Sequence, residues 1–148
     1  MDSREVMKKV AAIIEAHGTG LLATVDEDGN PRVRWMTPTL LPDSPGAVYA
    51  LTPPRFAKAS SLHEHRRVEW LFQTPTLDEV ISLRGTINLV ETPSLRAEVL
   101  EVLGQRLATL WKFARDARDL VVLETVVEEA SVLLSMQGRK ENVRFQKA

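Results

Sequence analysis

The sequence predicts an α+β fold, in which a mostly antiparallel sheet of about six strands, or slightly more, curls into a barrel with flanking helices. Strand-like segments follow one another through short turns such as DEDGN and PDSPG, and such turns join antiparallel neighbours. Helical segments stand between groups of strands and not after every strand, which argues against a parallel βαβ sheet. The 148 residues fit one domain, 1–148.

The chain begins with a helix over residues 1–18, because its apolar residues recur at helical spacing. Ser3 is placed to cap the start of this helix and Gly18 to close its end. A β-hairpin follows, whose second strand begins at Pro31 and runs to about Leu41. The segment AVYALT is predicted to be a third strand.

A short helix is predicted from about Arg55 to His65, and the segments RVEWLFQ and VISLRGTINLV are predicted to be strands. TPSLRAEVLEVLGQRLATLWKFA has helical apolar spacing, with Gly104 as a break or bend. LVVLETVVEEASVLLSMQ is expected to form two strands around a turn at Glu128–Ala130. Residues 138–148 are then a solvated tail or a short final strand.

The composition excludes several kinds of function. Because the chain has no cysteine, it has no disulfide, thiolate metal site or cysteine nucleophile. The net charge of −1 argues against a nucleic-acid partner, and the lack of any apolar stretch of about 18 residues argues against a membrane span. The charged N-terminal residues do not resemble a signal peptide. We therefore expect a soluble, cytoplasmic protein.

Residues 52–72 concentrate the polar chemistry of the chain. On a helix, His63 and His65 would point about 200° apart, and no third ligand follows them, so no metal site is expected. The arginines of the segment have acidic neighbours, and its aromatic residues alternate as in a strand. Both observations argue against binding of single-stranded nucleic acid.

The start of the same segment suits a phosphate group. Thr52 ends a strand, two prolines lead into a helix, and Lys58 lies just inside it. A helix N-terminus has free N–H groups and a partial positive charge, and Arg55 projects to the same side as Lys58. The pattern alone fits a phosphate site or a plain capped surface helix.

Four segments, in chain order, resemble the FMN-binding split-barrel family of pyridoxamine 5′-phosphate oxidase-like proteins. They are LLATVDEDGNPRVRWMTP, VYALTPPRFAK, KASSLHEHRRVEWLF and ISLRGTINLVETP. The resemblance extends over roughly residues 5 to 137 and is greatest to the short members of the general-stress-protein type. It implies a split β-barrel.

The resemblance also implies roles for individual residues. Lys58 would bind the FMN phosphate together with Thr52, and Arg55 would replace the second basic residue of the family. Arg34 would reach the phosphate or the ribityl chain from the second strand. The isoalloxazine ring would be contacted, largely through the backbone, by Trp35, Met36 and Thr37. The strand pattern alone also fits two simpler alternatives, in which Trp35 is a core residue and Arg34 is an ordinary outward-facing strand residue.

The function implied is that of an FMN-dependent oxidoreductase of unknown substrate, forming a homodimer with flavin at the subunit interface. Glu79 and Val80 occupy the place of a glutamine in the vitamin B6 oxidases, whose C-terminal region is also missing, so pyridoxamine 5′-phosphate oxidation is not expected. The alternatives are a non-catalytic module that binds flavin or haem, and an F420-dependent reductase. No catalytic residue is evident. We expect a partner chain to cover the apolar residues around Trp70, Phe72 and Val80.

Overall fold

The computed structural model describes residues 1–59, 62–107 and 120–146 of the chain. Within these ranges the description does not extend to the side chains of Lys58, Ala59, Gln105 and Leu107.

Eight strands in the described ranges form one antiparallel sheet, which confirms the predicted fold class. A short 3-10 turn, Ser135–Gln137, separates the last two of them. The strands are β1 (Gly20–Val25), β2 (Pro31–Met36), β3 (Pro38–Thr39), β4 (Ala47–Thr52), β5 (Arg67–Gln73), β6 (Glu79–Val90), β7 (Val121–Leu134) and β8 (Arg139–Arg144).

The sheet must curl because of how its two edges are connected. Its strands follow the order β2-β1-β5-β6-β7-β4-β3, with β8 paired to β7 outside this path. β2 and β3 therefore lie at opposite ends of the order, yet only Thr37 separates them in the chain. Two Cα–Cα steps lead from Met36 to Pro38 and span at most about 7 Å, so the two edges are brought close together. This is the geometry of a barrel that remains open along one seam.

The described residues also form three α-helices: α1 (Ser3–His17), α2 (Pro54–Ala59) and α3 (Pro93–Leu103). The Asp2 carboxylate caps α1 by accepting a hydrogen bond from the Glu5 N–H at 2.9 Å. The prediction of Ser3 as the cap was therefore wrong. A carboxylate at this position gains from the helix dipole as well as from the hydrogen bond. Gly18 closes the helix in the left-handed conformation, as predicted.

Three predicted elements differ in extent from the structure. The second strand ends at Met36 and not near Leu41, because Pro38 has no N–H to donate and β3 pairs with β4 instead. The helix predicted to reach His65 covers Pro54–Ala59; residues 60–61 of that prediction lie outside the described residues, and residues 62–64 form a turn in which Leu62 packs into the core. The predicted third helix ends at Leu103, next to Gly104, and a 3-10 turn over Gly104–Leu107 follows. The remainder of that prediction, residues 108–114, lies outside the described residues.

The C-terminal region holds one long strand where two were predicted. The acidic residues expected to form a turn lie inside β7, which runs unbroken for 14 residues. Arg84 pairs with Glu129 and Gly85 pairs with Val127, so Glu128 is the extra residue of a β-bulge. The bulge lets Glu128 accept hydrogen bonds from Arg67 and Thr86 beside the sheet. Residues 138–148 were predicted to be either a solvated tail or a short final strand. The structure shows the strand, β8 (Arg139–Arg144).

The larger core cluster joins the interior of the barrel to the buried face of α1. Trp70 and Phe72 are 0% and 1% exposed, and their rings stack with centroids 5.8 Å apart. Both are buried by their own chain, so the expectation that a partner subunit must cover them was wrong. A second cluster lies between α3 and the outer face of β4, where Val99 and Leu103 pack near Tyr49.

Candidate functional site

A small cavity lies where the open edge of the barrel meets α2. β1 and β2 contribute one wall, and the end of β4 and the start of α2 contribute the other. The cavity has a volume of about 10 Å³. Its lining includes Thr24, Arg34, Met36, Thr52, Phe56 and Leu123.

The alternation of β2 divides the predicted flavin-contacting residues between two faces. Arg34 and Met36 line the cavity, and Met36 is buried. Trp35 points to the opposite face and is 68% exposed. There it borders a second, larger hollow of about 170 Å³ together with Leu21 and Leu71. Thr37, between the two strands, is half-buried.

Arg34 is the charged group of the cavity. It is half-buried, and no acidic group in the described part of the chain pairs with it. Burial, and then the charge of Arg32, lower the pKa of the Arg34 guanidinium. A partly desolvated cation without a counter-ion is unfavourable, so the site favours an anion.

The neighbouring Arg32 shows how this chain pairs an arginine when the role is structural. The Arg32 Nε donates to the Asp26 carboxylate at 2.9 Å. Asp26 also accepts from the backbone N–H groups of Asn30 and Asp28 in the hairpin turn. These hydrogen bonds, that of Asn30 first, lower the pKa of Asp26. Asp26 is thus engaged with Arg32 and the turn, and Arg34 has no equivalent acidic partner among the described residues.

Two threonines add hydroxyl groups to the cavity. Thr52, at the end of β4, is 4% exposed, and Thr24, in β1, is 2% exposed. The Thr24 Oγ1 is buried and has no hydrogen-bond partner in the described structure. Thr24 was not among the predicted site residues. Its only signal in the sequence is a hydroxyl at an inward position of an apolar strand, two residues after the buried Leu22.

The other two predicted phosphate ligands belong to α2. This helix has six residues, so its dipole is small and charged side chains must supply most of the electrostatic attraction. Lys58 lies in α2, but its side chain is outside the described residues. Arg55 is exposed and does not line the cavity, and its guanidinium carbon lies 5.3 Å from the centroid of the Phe56 ring.

The cavity can therefore bind an anionic group next to an apolar surface. Arg34 supplies the charge, the two threonines supply hydroxyls, and Met36 and Phe56 supply apolar contact. The described residues contain no cluster of three or more histidine, cysteine, aspartate or glutamate side chains able to hold a metal ion. His63 lies in the turn after α2. Across the described ranges, no helix is long and apolar enough to cross a membrane.

Comparison with known proteins agrees with this architecture. The family model of pyridoxamine 5′-phosphate oxidase matches residues 6–133. A protein related to general stress protein 26 from Clostridium acetobutylicum has a similar structure, with a TM-score of 0.74 and 13% identity over 98% of this chain and 97% of that chain. No curated protein matches the sequence.

Two further similar structures are described by what they bind. One is a FAD-binding protein from Mesorhizobium loti, with a TM-score of 0.68 and 17% identity over 89% of this chain and 94% of that chain. The other is a haem-binding protein from Mycobacterium smegmatis, with a TM-score of 0.68 and 19% identity over 94% of this chain and 57% of that chain. Because the sequence identities to these structures are below 20%, the similarity shows a shared fold and nothing more specific.

Proposed function

The chain belongs to the pyridoxamine 5′-phosphate oxidase family, and on that premise we propose that it binds FMN and acts as a flavin-dependent oxidoreductase. The observation that carries the proposal is the half-buried Arg34, which lines a cavity without an acidic partner in the described structure. A phosphate monoester is an anion that such a cation binds well, because guanidinium and phosphate form parallel charge-assisted hydrogen bonds.

The residues present fit the phosphate end of FMN. In our proposal Arg34 and Lys58 hold the phosphate, and Thr52 donates from the end of β4. Arg55 adds positive charge at the rim of the site. The backbone from Trp35 to Thr37 runs along the flavin ring, and the apolar surface of Met36 excludes water from it. When bound, FMN supplies the electron and hydride transfer, while the protein binds and orients it.

Haem and F420 are the two alternatives to FMN as the ligand of this protein. Haem is favoured by the similarity to a haem-binding protein, and F420 would use the same fold. The absorbance spectrum of the freshly purified protein separates them. Flavin bands support the proposal, a Soret band supports a haem-binding module, and a colourless protein that takes up F420 supports the reductase.

The Lys58→Ala variant tests the phosphate site. A hydrogen bond to a charged group contributes about 1.5–3 kcal/mol, so the dissociation constant for FMN should rise roughly ten- to a hundredfold. Riboflavin has no phosphate, and its affinity should hardly change. Paired fluorescence titrations with both flavins measure this difference, and the exposed Lys140→Ala in β8 is the matched control. Equal weakening of both flavins would exclude Lys58 as a phosphate ligand.

We also propose a homodimer with the flavin at the subunit interface. The outer face of β2 exposes Val33 (63%) and Trp35 (68%), an apolar surface that a partner chain would cover. Light scattering at micromolar concentration should give a mass of twice 16.6 kDa. Val33→Glu should shift this mass towards one chain, whereas Met136→Glu, at a position 86% exposed, should not. A wild-type mass of one chain would contradict the dimer.

A further inference from the structure

The outer face of the sheet carries a hollow that the proposed flavin site does not use. Its volume is about 170 Å³, and it lies on the opposite face of β2 from the cavity lined by Arg34. Its floor is a row of three apolar side chains on neighbouring strands, because Trp35 pairs with Leu21 and Leu21 pairs with Leu71. Pro75, in the turn between β5 and β6, adds a further apolar contact. The hollow therefore combines an apolar floor with one exposed aromatic ring.

Three polar side chains also line this hollow. His17 is the last residue of α1, Gln73 is the last residue of β5, and Thr19 lies just before β1. Their side chains form no hydrogen bond within the described structure, so their polar groups are available to a ligand. No aspartate, glutamate, lysine or arginine is among the described residues that line the hollow. The site therefore favours a neutral ligand with a hydrogen-bonding group over a charged one.

The volume and Trp35 together define the class of ligand. A cavity of about 150 Å³ holds one benzene ring, so this hollow admits a single ring and is too small for a flavin or a haem. Trp35 is 68% exposed and offers its indole to such a ring. Pairing with an indole increases the affinity of an aromatic ring roughly two- to tenfold beyond the effect of burial, and an aliphatic ring lacks this gain.

We propose that the hollow binds a small neutral aromatic compound of the phenol class. The ring packs on Trp35 above Leu21 and Leu71, and its hydroxyl is directed to His17 and Gln73. The inference goes beyond the proposed function, because the site needs neither the cavity lined by Arg34 nor a bound flavin. It requires that a partner chain on the outer face of β2 leave the hollow open, and the experiment below tests this point as well.

Phenol, which is uncharged at neutral pH, is the probe, and two-dimensional NMR of the isotope-labelled protein is the measurement. The chain has three tryptophans, so the Trp35 indole N–H is identified as the signal that disappears in Trp35→Phe. Phenol should shift this signal and the amide signals of Leu21 and Leu71, with a dissociation constant of about 0.1–1 mM. Cyclohexanol, which has no aromatic ring, and benzoate, which is charged, should each bind at least about threefold more weakly.

Variants of the lining residues localise the binding. Trp35→Ala removes the aromatic ring and should weaken phenol roughly tenfold, as followed on the amide signals, whereas Trp35→Phe should retain most of the affinity. Leu71→Phe places a larger side chain at a half-buried position of the floor and should abolish binding. Val126→Ala is the matched control, since Val126 is an apolar strand residue that is 45% exposed and does not line the hollow.

Three results would overturn the inference. Phenol that shifts other signals but not that of Trp35 would bind elsewhere. Equal affinity for phenol and cyclohexanol would show that the hollow has no preference for an aromatic ring. A Trp35 signal that responds to phenol only in Val33→Glu would show that a second copy of the chain occupies the hollow. The flavin titrations are separate, so a protein that binds phenol at Trp35 but binds no flavin would support this inference and refute the proposed function.

Discussion

Replacing Gly85 with alanine is expected to prevent the protein from folding stably. A Cβ atom at this position in β6 would lie 2.0 Å from the carbonyl oxygen of Val126 and 3.1 Å from the Cα of Val127. These are backbone atoms of β7, a strand that pairs with β4 on one side and β6 on the other. They therefore cannot move away as a flexible side chain would. We expect a cost above about 4 kcal/mol, a large part of the stability of a typical domain.

Circular dichroism melting curves measure this effect, and Gly29→Ala is the matched control. Gly29 lies in the β1–β2 turn at φ 82. Apart from its chain neighbours, no atom would lie within 4 Å of a Cβ added there, so only the backbone conformation opposes a side chain at this position. That substitution should cost about 1 kcal/mol, or roughly 2–4 °C in melting temperature. A Gly85→Ala protein as stable as Gly29→Ala would contradict the packing of β6 against β7 at the bulge.

The largest expected effect on binding belongs to Arg34→Gln. Two parallel charge-assisted hydrogen bonds to a phosphate are lost, at a combined cost of about 3 kcal/mol. FMN affinity should therefore fall by roughly a hundredfold, while riboflavin affinity should change little. The ligand-free protein should not be destabilised, because the substitution removes a half-buried cation without an acidic partner in the described structure.

Arg32→Gln is the control for Arg34, since it removes the adjacent arginine of the same strand. Arg32 pairs with Asp26, and its side chain is 62% exposed, so its loss should lower stability slightly and leave the preference for FMN intact. Flavin titrations and melting curves on both variants measure the contrast. If Arg32→Gln abolished the preference for FMN and Arg34→Gln did not, the phosphate site would lie at Arg32, near the β1–β2 turn, and not in the cavity lined by Arg34.

The sequence predicted the elements whose signals are local. The β1–β2 hairpin, β4, β5 and β6 follow from alternating apolar residues and from turns rich in glycine, proline and aspartate. The acidic pair in β7 was interpreted as a turn because consecutive charges are unusual inside a strand. Its actual partners, Arg67, Thr86 and Arg84, come from two other strands, and a single-sequence pattern does not show them.

The site was only partly predictable, for a related reason. The family resemblance pointed to Arg34, Met36 and Thr52, and the structure places all three around one cavity. It also places Trp35 on the opposite face of β2, because neighbouring strand residues alternate. Thr24 was missed because threonine is common in strands, and its unpaired hydroxyl becomes evident only once its neighbours in space are known.

The most direct test of the central claim is a paired titration of the wild-type protein with FMN and riboflavin, followed by flavin fluorescence. If the half-buried Arg34 and its neighbours form a phosphate site for flavin, FMN should bind at least about tenfold more tightly than riboflavin, and inorganic phosphate should reduce the difference. Equal affinity for the two flavins, or no binding of either, would contradict the account.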